Sequence, residues 1–126
     1  MPHVIKTTFY HCPGGRQGTA LCALDFLVDH FGEPNVSHGA YRDYGQDPVE
    51  GYFDSKITRR WIFDTPRGLA EVRDYWWNAE YEWSIAAEDR RAAMWLAREL
   101  RRKGCMATTR AKQDMLPAAI AMMLAA

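Results

Sequence analysis

The stretch ITRRWIFDTPRGLAEVRDYWWNAEYEWSIAAEDRRAAMWLARELRRKG decides the fold; it runs from Ile57 to Gly104 and contains all five tryptophans. Pro66 suits the second position of a tight turn, and Gly68 suits the fourth. A turn there places Asp64 opposite Leu69, and antiparallel pairing extends outward. The pairs predicted to share one face are Phe63 with Ala70, Trp61 with Val72, Arg59 with Asp74, and Ile57 with Trp76.

A second turn, at Asn78 and Ala79, predicts the same face independently. It pairs Trp76 with Tyr81, Asp74 with Trp83, and Val72 with Ile85. A slip of one residue would turn every side chain to the opposite side of the sheet, so the agreement of two turns is informative. Arg59 and Asp74 are the only polar intrusion, and they form a cross-strand pair of opposite charge.

The opposite side of this sheet, which we call the reverse face, is mixed in character and could meet solvent or a second layer. Its members are Arg60, Ile62, Glu71, Arg73, Tyr75, Trp77, Glu82 and Ser84. A helix follows, with acids at its start and bases at its end, as the helix dipole favours. Its apolar stripe should cover the aromatic face; the stripe consists of Ala92, Trp95, Leu96 and Leu100.

The N-terminal part predicts a strand, a glycine-rich loop and a helix. The strand covers Val4 to Tyr10, the loop Pro13 to Gly18, and the helix Thr19 to Phe31. Gly32 and Pro34 are expected to stop the helix.

Residues 33–56 form a long acidic loop, with a short strand predicted near Gly51 to Asp54. Residues 105–112 are expected to be extended. Residues 114–126 are expected to form a C-terminal apolar helix, which either docks on its own domain or forms a homodimer or partner interface.

These elements predict a single α+β domain over residues 1–126. We expect an antiparallel sheet of three to four strands, packed by two helices, plus the C-terminal apolar helix.

The composition argues against several classes of protein. Sixteen basic and sixteen acidic residues give no net charge, and therefore no global attraction to nucleic acid or anionic lipid. No apolar run of about 18 residues and no secretion signal is visible, which predicts a cytoplasmic protein without membrane contact. Charge is nevertheless uneven: residues 25–54 carry seven acids against one base, and residues 90–112 carry eight bases against one acid. The acidic and basic segments can pair with each other within the fold, or they can mark two surfaces that face partners.

The segment HCPGGRQGT, from His11 to Thr19, resembles the cysteine phosphatase loop but fails on spacing. Arg16 lies four positions after Cys12 instead of six, where Gly18 stands. A flexible connection with an incidental thiol is the simpler interpretation, and a cysteine enzyme centred on Cys12 is the less favoured alternative.

The sequence predicts neither a metal site nor a cofactor. Three cysteines without a CxxC pair suggest reduced thiols, and the four histidines lack metal-ligand spacing. We find no combination of nucleophile, base and orienting group.

A nucleic-acid-binding surface is the principal alternative function. Its residues would be Arg98, Arg101, Arg102, Lys103, Arg110 and Lys112, with Tyr75 and Trp77 as stacking platforms. Bases in a last helical turn also complement the dipole, which accounts for several of them without any ligand.

From Phe31 to Gly104, the order FGEPN, ITRRWIFDTPRG, LAEVRDYWWN, EYEWSI and AAMWLARELRRKG resembles small phage and prophage accessory proteins, including anti-CRISPR proteins. The resemblance implies a non-enzymatic inhibitor of a host defence complex that acts by protein–protein contact in the host cytoplasm. Our candidate contact residues are Tyr41, Asp43, Tyr44, Asp47, Tyr52, Asp54, Tyr75 and Trp77.

Overall fold

The computed structural model describes residues 3–37, 57–75 and 78–109. The strands are β1 (Ile5–Lys6), β2 (Gly15–Leu21), β3 (Val36–Ser37), β4 (Ile57–Thr65), β5 (Gly68–Tyr75), β6 (Glu82–Ala87) and β7 (Met106–Thr108). The helices are α1 (Leu24–Phe31) and α2 (Arg90–Arg102). The predicted strand near Gly51, the rest of the acidic loop from residue 38 to 56, and the helix over 114–126 lie outside the described residues.

The first predicted hairpin is confirmed over most of its length. Strands β4 and β5 pair with Asp64 opposite Leu69, Trp61 opposite Val72, and so on out to Arg59 opposite Asp74. The Thr65 hydroxyl donates to the Gly68 carbonyl at 2.7 Å and accepts from the Arg67 amide at 3.1 Å, which closes the turn. Beyond Arg59, a bulge shifts the register. Ile57 therefore pairs with Tyr75, and the predicted pair with Trp76 is wrong.

The second hairpin keeps the predicted register with a longer turn. Val72 lies opposite Ile85, as predicted, and Arg73 lies opposite Ser84. Tyr81, however, has a φ of 69° and belongs to the turn, so it is not the strand residue that we expected. Hydrogen bonds from the Asn78 amide to Tyr75 and from the Glu82 amide to Ala79 shape this connection.

The N-terminal prediction was wrong in one important respect. Residues 15–21, expected to be a glycine loop and the start of a helix, form strand β2 between β6 and β7, and α1 begins only at Leu24. Gly18 permits this packing: a Cβ there would lie 2.1 Å from the Thr108 carbonyl oxygen. Because β6 is buried along its whole length, its free edge needs a strand partner, and this tertiary pairing overrides local propensity. The first strand is also shorter than predicted, at Ile5–Lys6.

The sheet is consequently larger than the three to four strands expected. Its order is β1-β4-β5-β6-β2-β7, with β3 also pairing with β4, and it curves into a half-barrel. The α+β class, the antiparallel pairing and the two helices are confirmed.

Helix α2 covers the aromatic face of the sheet, as predicted. Trp61, Phe63, Val72 and Ile85 are almost completely buried there against Leu96 and its neighbours on α2. The Asp89 side chain accepts from the Arg91 amide at 2.8 Å and so caps the helix N-terminus.

Candidate functional site

The outer side of α2 carries a row of basic side chains grouped toward its two ends, which we call the arginine face. Five arginines are exposed on this helix: Arg90, Arg91, Arg98, Arg101 and Arg102. At 100° per residue, they span an arc of about 120°, with Met94 in the middle. The row is about 18 Å long, because each residue adds about 1.5 Å along the axis. No acidic side chain of α2 lies within this arc.

The two ends of the row differ in how the helix dipole acts on their arginines. Arg101 and Arg102 lie in the last turn, where cations complement the dipole. Arg90 and Arg91 lie in the first turn, which contains no acid, and there the partial positive charge of the helix end disfavours them. At the first turn, the ion pair between Arg91 and Asp89 offsets part of this unfavourable interaction.

Local contacts hold several of these side chains in place. Arg91 pairs with Asp89 at 3.1 Å, and Arg102 pairs with Glu99 at 2.5 Å. Arg101 donates to the Ala107 carbonyl of β7 at 2.7 Å, so it ties the helix to the sheet.

Glu99 is nearly buried beneath the row. The hydrogen bond from Arg102 is the main reason that the pKa of Glu99 is lowered, and Arg102 and Lys103 also act through their charge. Glu99 is therefore ionised at neutral pH, and it offsets part of the charge at the C-terminal end of the row.

Trp95 provides an aromatic surface beside the arginines. The Arg98 guanidinium lies 5.2 Å from the centroid of the Trp95 ring. The centroid of the His3 ring also lies 5.2 Å from the centroid of the Trp95 ring. Such a stack holds a guanidinium in a fixed orientation and leaves its edges available to a ligand.

The sequence predicted part of this surface. Arg98, Arg101 and Arg102 are exposed on one face, and Lys103 is half-buried with its ammonium 3.6 Å from Glu99. Arg90 and Arg91 were missed as site residues, although their helical spacing from Arg98 and Arg101 was the available signal. Arg110 and Lys112 lie outside the described residues.

Tyr75, one of the two predicted stacking residues, does not join this surface. Tyr75 is half-buried on the reverse face, opposite α2, where it accepts a 2.8 Å hydrogen bond from Arg73. Trp77 lies outside the described residues, as do the acidic-loop residues Tyr41, Asp43, Tyr44, Asp47, Tyr52 and Asp54. The aromatic partner of the arginines is Trp95 instead.

The reverse face is buried and contains an ionic network. From the sequence, this face could have met either solvent or a second layer. Glu71 is fully buried, and Arg60 and Arg73 are 5% and 6% exposed. Both guanidiniums meet the Glu71 carboxylate: Arg60 Nε lies 3.5 Å from Oε2, and Arg73 Nη2 bonds Oε1. Arg73 also donates to the Gly14 carbonyl at 3.3 Å, so the segment before β2 lies over this network.

Cys12 lies beside this network and is not an activated thiol. Burial, followed by the charge of Glu71, raises the pKa of Cys12 to about 12, so the thiol stays protonated at neutral pH. The neighbouring His11 has a lowered pKa, from burial and then from Arg60 and Arg73. A neutral thiol that is 1% exposed lacks both the charge and the access that a nucleophile requires.

Within residues 3–37, 57–75 and 78–109, no group of three or more His, Cys, Asp or Glu side chains could hold a metal ion. No helix in the same part of the chain is long and apolar enough to cross a membrane. No protein-family model matches the chain, and no significant similarity was found to a curated protein or to a solved structure.

Proposed function

We propose that this chain is a non-enzymatic binding protein that contacts nucleic acid through the arginine face of α2. The observation that carries the proposal is that the exposed arc of arginines on α2 extends from the last helical turn to Arg90 and Arg91 in the first. Together with Arg98 and Arg101, they make a basic row at both ends of the helix.

The chemistry of the row suits a phosphate backbone. Guanidinium groups bind phosphate oxygens in a planar, two-pronged geometry, and each neutralised phosphate releases counterions. A length of about 18 Å allows the row to meet more than one phosphate of the same strand. The row reads no base edges by itself, so we expect binding without strong sequence preference.

The test is fluorescence anisotropy with labelled single-stranded and double-stranded oligonucleotides over a series of salt concentrations. The double variant Arg90→Gln and Arg98→Gln removes two charges without touching the contact from Arg101 to β7. We expect about tenfold weaker binding and a salt slope reduced by about two.

The matched control removes two charges on the sheet, Lys6→Gln and Arg59→Gln. It should leave both the affinity and the salt slope close to wild type. If wild-type protein binds no oligonucleotide at about 50 mM salt, or if both double variants lose affinity equally, the proposal is wrong.

A second proposal keeps the sequence-based hypothesis of a phage-type, anti-CRISPR-like inhibitor of a host protein complex. Met94 favours it, because this side chain is 47% exposed between the arginines, and Met and Arg are enriched at protein interfaces. A pull-down from nuclease-treated host lysate tests it. One saturable protein partner, lost with Asp43, Asp47 and Asp54 all replaced by Ala, supports the inhibitor; the absence of a partner overturns it.

A further inference from the structure

Two cysteines far apart in sequence lie opposite each other at one end of the sheet. Strands β2 and β7 pair Ala20 with Ala107 and Leu21 with Met106. Continued by one residue, this antiparallel register places Cys22 opposite Cys105. The Cys105 thiol also lies 3.5 Å from the Leu21 carbonyl oxygen, which places its sulfur against the backbone of β2.

The backbone contacts show which kind of cross-strand pair this is. The Cys22 amide donates to Tyr81 at 2.9 Å, and its carbonyl accepts from the Trp83 indole at 2.9 Å. Both groups therefore point toward β6 and away from β7, and the Cys105 amide donates to Leu100 instead. Cys22 and Cys105 thus occupy a non-hydrogen-bonded position, where opposing Cα atoms lie about 4.5 Å apart. A disulfide needs about 4.4 to 6.8 Å.

The two side chains also point the same way and lie within reach of each other. Both belong to the core side of the sheet, with Ala20 and Ala107 as neighbours. The Cys22 thiol donates a hydrogen bond to the Cys105 sulfur, which lowers the pKa of Cys105 and raises that of Cys22. Cys22 is partly exposed, so a small reagent can reach the pair, whereas Cys105 is 5% exposed.

We infer that Cys22 and Cys105 form a redox-active dithiol site, which low-molecular-weight disulfides such as oxidised glutathione convert to a cross-strand disulfide. Cys22, the more exposed sulfur, attacks one glutathione sulfur while its proton passes to the Cys105 thiolate, which gives a mixed disulfide and releases one reduced glutathione. Cys105 thiolate then attacks the Cys22 sulfur and displaces the second glutathione as its thiolate. The two protein thiols lose two protons and two electrons, and the glutathione disulfide is reduced to two thiols.

The disulfide would fix β7, the element that anchors the end of α2. Arg101 is bonded to the Ala107 carbonyl, and the Cys105 amide caps Leu100, so β7 connects the helix to β2. Crosslinking residues 22 and 105 closes a long loop in the unfolded chain, which raises the free energy of unfolding. This site does not depend on the proposed nucleic-acid function.

The test is incubation of the full-length protein with oxidised or reduced glutathione, followed by intact mass measurement, peptide mapping and thermal unfolding. Oxidised wild-type protein should lose about 2 Da, give a Cys22–Cys105 crosslinked peptide, and unfold about 10 °C higher. Reduction with dithiothreitol should reverse all three changes.

Three serine variants supply the controls. Cys12→Ser should behave like wild type, because this buried thiol takes no part. Cys105→Ser should stop at the mixed disulfide on Cys22, and Cys22→Ser should form no internal disulfide. Peptide mapping of the wild-type protein shows whether the Cys22–Cys105 disulfide forms, even if a variant fails to fold. A disulfide that includes Cys12, a stable mixed disulfide in wild-type protein, or no reaction at excess oxidised glutathione would overturn the inference.

Discussion

The two faces of the central sheet are equally buried but chemically opposite. On the aromatic face, Trp61 and Phe63 meet α2, and apolar contact accounts for their burial. On the reverse face, Glu71 is just as deeply buried, between Arg60 and Arg73. The first face gains free energy from leaving water, whereas the second must recover the cost of removing three charges from water. The same alternation along the strands therefore produces two kinds of core, which should respond differently to substitution.

The largest effect should come from breaking the ionic core. Glu71→Gln leaves two buried guanidiniums without a counter-charge, and we expect a loss of about 3 to 5 kcal/mol in the free energy of unfolding, measured by urea denaturation. A loss below about 1 kcal/mol would mean that water solvates the arginines and that the faces differ less than their burial indicates.

A triple variant serves as the control for this prediction. Glu71→Leu with Arg60→Met and Arg73→Met removes all three charges and keeps the volume similar. It should recover most of the stability lost in Glu71→Gln, because apolar replacement of a complete buried ion network is commonly neutral or stabilising.

On the aromatic face, the expected loss comes from a cavity. Leu96 of α2 is fully buried against the sheet, so Leu96→Ala should lower the free energy of unfolding by about 3 kcal/mol. Met94→Ala, two residues earlier on the exposed side of the same helix, should change it by less than about 0.5 kcal/mol. Similar losses in the two variants would contradict the packing of α2 described above.

The hairpin β4–β5 was predictable because two independent constraints agree there. Turn chemistry at Pro66 and Gly68 and the alternation of apolar residues fix the same register. Strand β2 was not predictable in this way, because residues 15–21 contain a single β-branched residue, Thr19, and become a strand through pairing with β6 and β7. The misplaced helix also hid the dithiol, since Cys22 was assigned to a helix, away from Cys105.

The candidate sites also divide into features that local sequence predicts and features that depend on contacts between distant residues. Helical spacing places Arg98, Arg101 and Arg102 on one face of α2, and this information is local. The burial of Glu71 depends on the segment around Gly14 lying over the reverse face, where Gly14 contacts Arg73, a residue 59 positions away in sequence. Alternation shows which side chains share a face, but it does not show what covers them.

Alkaline pH should affect the reverse face through Cys12. Its pKa is about 12 in the folded protein and near 9 in the unfolded chain, so below pH 9 the thiol is protonated in both states and costs nothing. Above pH 9, the unfolded chain releases the proton first, and stability falls by about 1.4 kcal/mol per pH unit until the folded thiol also ionises near pH 12.

The measurement is urea denaturation between pH 7 and 11 for wild-type protein and for Cys12→Ala. Tyrosines and lysines also titrate in this range, so the difference between the two proteins is the informative quantity. The difference in the free energy of unfolding between wild-type protein and Cys12→Ala should be constant below pH 8.5 and should become smaller above pH 9. A constant difference up to pH 11 would mean that Cys12 ionises freely in the folded protein.

The smallest effect should come from the ion pair between Arg59 and Asp74 on the aromatic face. Arg59 and Asp74 lie 3.2 Å apart on the paired strands β4 and β5, with side chains 31% and 22% exposed. Water therefore screens their attraction, and removing each charge from water costs little. A double-mutant cycle with Arg59→Ala and Asp74→Ala should give a coupling energy below about 1 kcal/mol, which falls further in 1 M salt. The Glu71 network should keep its coupling at the same salt concentration, because its charges are shielded from counterions. If the two networks respond equally to salt, burial is not what separates them, and the reverse face must be open to water.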